Sequence, residues 1–370
     1  MKPFLALVLL LAAGSAFASP IRFYLGTYTA NSLSQGIYTG TLETTNGHLS
    51  PLVLAARAKD PSFVALTPDH KYLYALTANP LNGTNGTVAA FRRGPDGSLT
   101  PLNELSTLAV CAHVAVDATG RDVFLPSYGG AFIVAFLTQP DGSLDRRTAY
   151  FPFTGHGPNP WRQTQPHPHA MFVDPENRHV YVCDLGTDHV WIYNLDAATG
   201  TLTPAQPAYA LVPPGSGPRH LAFSQDGRYV YVNGEVSMNV TTFARHPDTG
   251  ELTPLQTVST LPPGASPAGV TSAEIVLHPT GKWLYVSNRG RGSIAVYATG
   301  ADGRLTWLQD APLPVKIPRG FNIDPTGQWL LVGGQSDHQI AVLKLDPATG
   351  LLTPTDQTAT VGSPVCVVFE

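Results

Sequence analysis

The stretch DPENRHVYVCDLGTDHVWIYNLDAATGTLTP, Asp174 to Pro204, decides how the chain folds. Asp174-Pro175-Glu176-Asn177 is turn chemistry, because Pro presets φ and an Asp side chain can bond backbone amides just ahead of it. Val180-Tyr181-Val182 and Val190-Trp191-Ile192-Tyr193 are β-branched and aromatic runs of strand length. Thr199-Gly200-Thr201-Leu202-Thr203-Pro204 then turns the chain again. The same order recurs from Ser224 to Leu255, from His278 to Leu308 and from Asp324 to Thr355. It recurs more loosely from Thr67 to Leu102 and from Asp117 to Arg147. The turn position falls at His70, Gly120, Asn177, Gly227, Gly281 and Gly327, a period of about 50 residues with four short strands per unit, which predicts an all-β propeller.

The ends of the chain set the blade count. Strands of a blade are named A to D from the channel outward. Runs at 63–66, 113–116, 170–173, 221–223, 275–277, 320–323 and 365–369 read as seven A strands. The last has no B, C or D after it. Arg22 to Gly26, Gly36 to Leu42 and Leu49 to Val53 read as B, C and D without an A. Pairing the C-terminal strand with these three closes a seven-bladed ring and hides an edge that would otherwise be exposed.

Composition agrees. The 370 residues include 35 Gly and 34 Pro, about 19% against roughly 12% in an average protein. Charged residues are 13% and hydrophobic residues 43%, with a formal charge of -4. Helical bundles, disorder and a basic nucleic-acid binder are excluded by these values. Lys2, the apolar run Phe4 to Ala13 and Ala16-Phe17-Ala18 read as a secretory signal peptide, residues 1–18. Residues 19–370 are then one propeller domain, exported to the periplasm or outside the cell, monomeric and free of the membrane. Cys111, Cys183 and Cys366 sit in apolar runs and read as buried free thiols.

In a propeller the D–A and B–C loops surround one mouth of the channel, so a polar residue there is a candidate ligand contact. The longest D–A loop runs from Gly155 to His169, is stiffened by four prolines and delivers His167 and His169. The next delivers Arg219 and His220, with Asn233 and Glu235 in that blade's B–C loop. Glu274, Asn288 and Arg289 follow, then Lys316, Arg319, Gln335 and His338. His113 reads as a core histidine. Arg219, Arg289 and Arg319 either clamp blades together or handle an anion, and Glu274 is open in the same way. Buried arginines need a carboxylate such as Glu235 or an anionic ligand to offset them. The Tyr and Trp residues of the B strands read as packing between blades. Imidazoles suit zinc or iron, yet no carboxylate stands at ligand spacing beside His167, His169 and His220. No metal and no other cofactor are expected.

The stretches QPHPHA (165–170), GPRHLAF (217–223), VNGEV (232–236), LYVSNR (284–289) and PRGFNIDPTG (318–327) resemble the seven-bladed lactonase family. This group holds 6-phosphogluconolactonases and 3-carboxymuconate cyclases, of the cycloisomerase-2 type, and the resemblance covers essentially the whole chain after residue 18. It implies hydrolysis of a sugar lactone, 6-phosphogluconolactone or an unphosphorylated aldonolactone, as the small-molecule partner. By motif it implies His169, Arg219, Glu235 and Arg289 as the catalytic set. His169 would be the general base, the two arginines would hold the oxyanion, and Glu235 would orient them. His167, His220, Glu274, Asn288, Lys316, Arg319 and Gln335 are expected to bind substrate, Lys316 and Arg319 taking a phosphate or carboxylate. The sequence departs from the family in two places: Gly234 is inserted in VNGE, and the signal peptide read at residues 1–18 is unusual for an enzyme of the intracellular pentose phosphate pathway. Two other readings remain open. YVYVNG and LYVSN also resemble the Y-V-T-N repeats of exported scaffold propellers, and the same polar set suits a carboxymuconate-type cycloisomerase.

Overall fold

The computed structural model describes residues 20–78 and 86–370. The signal peptide read at residues 1–18 lies outside the described residues. Among the described residues the strands form seven four-stranded antiparallel sheets. The sheet of blade 1 joins Pro364–Phe369 to Ile21–Thr27, Gly36–Leu42 and Val53–Arg57. Phe23 faces Phe369 and Leu25 faces Val367 across the closing pair. The A strands of blades 2 to 7 are Val64–Leu66, Ala115–Val116, Pro168–Val173, Pro218–Phe223, Thr271–Leu277 and Pro318–Ile323. One expectation is corrected. The outer strand of blade 1 is Val53–Arg57, and Leu49 only bridges Leu42. Pro51 cannot donate to a ladder, so pairing resumes beyond it. No helix of the described residues is long and apolar enough to cross a membrane.

The turns form as their residues dictate. Asp174 Oδ1 accepts the amides of Arg178 and His179 at 2.7 and 3.0 Å. Asp324 does the same for Gln328 and Trp329. The core lies between blades, in seven apolar clusters that each join two neighbours. Most seams share one device. The first residue of a B strand lays its ring against the C–D turn glycine of the next blade: Tyr72 on Gly142, Tyr229 on Gly303, Trp283 on Gly350 and Trp329 on Gly47. At Gly142 an added Cβ would sit 2.1 Å from the Tyr72 ring. Two residues on, a tyrosine hydroxyl donates to the carbonyl of the same glycine, as Tyr74 does to Gly142 at 2.9 Å and Tyr181 to Gly250 at 2.7 Å. The aromatic B-strand residues are therefore blade-to-blade packing, as expected. The three cysteines are free and buried.

Blade 3 breaks the device. Asp122 takes the ring's place against Gly200, fully buried, and neither carboxyl oxygen has a hydrogen-bond partner among the described residues. Burial, and then the charge of Asp117, push its pKa up to about 7. Its folded pKa thus lies above the unfolded value near 3.9, so the stability it contributes is lost as pH rises through about 7. Asp122→Asn should raise the melting temperature by at least about 2 °C near pH 8 and by much less near pH 4. Equal gains at the two pH values in thermal melts would show that no ionisation is being penalised there.

Candidate active site at the channel mouth

The D–A and B–C loops enclose a cavity of about 950 Å³ at one mouth of the channel. Its wall has two characters. Blades 2 and 3 give it Phe63, Leu76, Ala109, Val110 and Cys111, whereas the long loop and blades 4 to 7 give it Arg162, His169, Arg219, Glu235, Glu274, Arg289 and Arg319.

A local irregularity aims these side chains. Pairing of strand A with strand B shifts register across His169 in blade 4, Arg219 in blade 5, Ala273–Glu274 in blade 6 and Arg319–Gly320 in blade 7. Such bulges leave a residue out of the ladder and re-aim its side chain. In blades 4, 5 and 7 the bulge follows a proline that opens the strand, Pro168, Pro218 or Pro318.

Glu235 is the electrostatic centre. Its Oε2 lies 3.0 Å from Arg219 Nε and 3.1 Å from Arg289 Nη2, and Oε1 accepts from Arg162 Nη2. The Arg219 contact is an ion pair without hydrogen-bond alignment. Burial alone would raise this carboxyl's pKa. The Arg289 and Arg219 charges and the Arg162 bond outweigh burial and hold it down at about 2. Arg219 Nη1 also donates to Ala273 O at 2.6 Å, and Arg289 Nη2 to Ser272 O at 3.1 Å. Both guanidiniums are thereby anchored to strand A of blade 6. Gly234 ends its B strand, and the Glu235 amide returns to Gly217 O at 2.8 Å. The inserted glycine therefore leaves Glu235 within reach of the arginines. Arg319 is half-buried, its guanidinium 5.8 Å from the Tyr28 ring, and it has no ion pair among the described residues.

His169 is 3% exposed. Burial, and then the Arg219 charge with His220, Arg319 and Arg289, hold its pKa well below the ordinary 6.5. It is neutral at physiological pH. Glu274 bonds His220 Nδ1 through Oε1 at 2.7 Å and takes the Ile275 amide at 3.1 Å. Burial pushes its pKa up to about 7 against the opposing pull of Arg219.

The remaining expected residues stand elsewhere. His167 stacks on Tyr128 at 4.2 Å and donates from Nδ1 to the Tyr128 carbonyl at 2.8 Å. It supports a cavity residue rather than lining the cavity. His220 stands behind Glu274, and His113 is buried against Phe63 and Phe172. Asn288 is buried and spent on Thr260 and Ser272. Lys316 is exposed on the outer loop, with its amide bonded to Asp337. Gln335 meets Ser363 through its backbone carbonyl, and His338 accepts the Ser363 amide. Lys316, Asn288 and Gln335 are thus corrected as cavity contacts: Lys316 is in solvent, Asn288 is spent within its blade, and Gln335, half-buried, stands outside the cavity lining. Among the described residues no group of three or more His, Cys, Asp or Glu could hold a metal ion, so His167, His169 and His220 form no such centre.

Arg162, Tyr128, Tyr28 and Asp60 line the cavity without having been expected. Arg162 does lie in the loop that the sequence singled out. Gln163, fully buried, locks that loop by donating to Leu185 O at 2.9 Å and Asp188 Oδ1 at 2.8 Å, which brings Arg162 onto Glu235.

The family model "Lactonase, 7-bladed beta-propeller" matches residues 22–369. The chain belongs to that family. It is 34% identical to a 6-phosphogluconolactonase of Bacillus subtilis, across 94% of this chain and 97% of the relative. A 6-phosphogluconolactonase of Formosa agariphila is 32% identical over 90% of this lactonase-family chain and 95% of its own. The solved structure of a periplasmic gluconolactonase from Pseudomonas aeruginosa superposes with a TM-score of 0.88 at 30% identity, covering 95% of this chain and 99% of that one.

Glu235→Gln should strand three guanidiniums and destabilise the protein by roughly 3 kcal/mol, as breaking a buried ion pair does. Gluconate should restore part of that loss by supplying the missing carboxylate. Calorimetry with and without gluconate checks this; a loss under about 0.5 kcal/mol would show that the arginines do not depend on Glu235.

Proposed function

We propose that the protein hydrolyses an unphosphorylated aldonolactone at this mouth. The observation that carries the proposal is a neutral, buried His169 beside two arginines held in place by one carboxylate, on the wall of an open cavity. The lactone carbonyl oxygen faces Arg219 and Arg289, and the polyol chain extends along the wall. His169 takes a proton from a water molecule as that water adds to the carbonyl carbon. A base so placed contributes about 10²–10⁴-fold. Negative charge then develops on the carbonyl oxygen, where one fixed donor contributes about 3 kcal/mol. Glu235 does not take part in proton transfer. Its two oxygens are occupied by arginines, and it holds those arginines in position.

The relatives differ in the substrate their names carry: one is a 6-phosphogluconolactonase, another a gluconolactonase. Three observations favour the unphosphorylated substrate. Lys316, the second cation expected for a phosphate, stands in solvent. Among the described residues Arg319 is the one cavity arginine without an ion pair, a single cation. The apparent signal sequence at residues 1–18 and the periplasmic relative also support export, away from cytoplasmic sugar phosphates.

A lactone panel corrected for spontaneous opening tests this. Glucono-δ-lactone should exceed its 6-phosphate by at least about 10-fold in kcat/KM, and EDTA should leave the rate unchanged. His169→Ala and Arg219→Ala should each lower kcat/KM by about 10²-fold or more. Near wild-type values in both variants would remove the site, and a preference for the 6-phosphate would reverse the substrate assignment.

A further inference from the structure

Three carboxyl groups line the cavity, and their partners differ in kind. Asp60 Oδ1 is occupied by the amides of Thr29 and Ala30 and the Thr29 hydroxyl. Glu235 is filled by three arginines. Glu274 alone is paired with an imidazole, His220. Behind that pair, His220 Nε2 and His169 Nδ1 are both buried without a hydrogen-bond partner among the described residues, and the two rings stand 5.2 Å apart between centroids. His169, His220 and Glu274 come from the A-strand heads of three consecutive blades, and no hydrogen bond joins the two imidazoles among the described residues, so Glu274 is coupled to His220 and not to His169.

From this arrangement we infer that Glu274 is the proton donor to the leaving ring oxygen, held in position by His220. The inference rests on lactone hydrolysis as the reaction. The steps balance. A water proton goes to His169 while the water oxygen bonds the carbonyl carbon. The bond between that carbon and the ring oxygen then breaks, and the Glu274 carboxyl proton moves to the departing oxygen. His169 then gives its proton to water of the cavity and Glu274 takes one from it, and both groups are reset. The product is the open-chain hydroxy acid, which loses its own proton to solvent. The charged and titratable groups facing Glu274 are His220 and Arg219 of blade 5, His113 of blade 3, Arg319 of blade 7 and Cys366 of blade 1. Glu235 and Arg289 stand on the same wall.

A general acid must carry its proton, so kcat/KM should fall as pH rises through about 7. Glu274→Gln keeps the shape and removes the proton. It should lower kcat by about 10²-fold or more with little change in KM, and abolish that alkaline fall. A variant keeping more than a third of wild-type kcat, or the same alkaline limb, would overturn the assignment. Carboxyl infrared difference spectra between about pH 5 and about pH 9, recorded in an Asp122→Asn background because Asp122 titrates in the same range, give a readout that needs no turnover. A protonated-carboxyl band titrating in Asp122→Asn and absent once Glu274→Gln is added is expected, and an identical band in both would overturn the proposal. Asp122→Asn protein that opens no lactone, yet shows the band, would fault the reaction and leave Glu274 as the proton-holding group.

Discussion

Everything at the channel mouth depends on a ring that the chain closes with its last strand. Pro364–Phe369 pairs with Ile21–Thr27, so the two ends of the sequence share one sheet. Without that pairing, blades 1 and 7 would each expose a flank, and the inner strands would not be held around a common axis. With it, seven A strands begin at one level, and a side chain at the head of each is carried to the same small volume. The functional wall is thus made of residues more than 100 positions apart in sequence, from Arg162 to Arg319.

The second constraint is charge. Only 13% of the residues are charged, and four arginines are placed on one cavity. Guanidiniums out of water are costly unless paired. Glu235 offsets three of them and keeps their donors pointed, which leaves Arg319 as the arginine not paired with a carboxylate. The same field keeps His169 neutral, as a base requires. It leaves Glu274 in a different condition from Glu235, although both carboxyls are buried on one wall. One has guanidiniums at both oxygens and stays ionised; the other has an imidazole and favours its proton. Two carboxyls driven apart in this way are suited to different tasks.

The blade repeat, its count and its closure were legible because each rests on local chemistry: Asp-Pro turns, alternating strands, and unmatched strands at the two ends. The single slip, Leu49 to Val53, came from giving the apolar residues around Pro51 more weight than its missing N–H. At the site, His169, Arg219, Glu235, Arg289 and Arg319 could be picked out by their position at the loops. What could not be read was which neighbour faces inward. His167 and His169 are two apart and would share a face in a regular strand, but the bulge at His169 separates them. Arg289 reaches the cavity while adjacent Asn288 turns into the blade, as period-two alternation demands once the register is known. Arg162 was hidden for another reason: its place depends on Gln163 bonding to Leu185 and Asp188, a contact between loops that leaves no local pattern.

The central claim is that this arginine-and-histidine wall receives the acyl end of a sugar lactone. A crystal structure with gluconate, the hydrolysis product, tests it most directly. The account predicts the gluconate carboxylate between Arg219, Arg289 and His169, with its hydroxylated chain running along the cavity. A carboxylate bound at Arg319 with its chain turned away from His169, or gluconate bound outside the channel mouth, would contradict it.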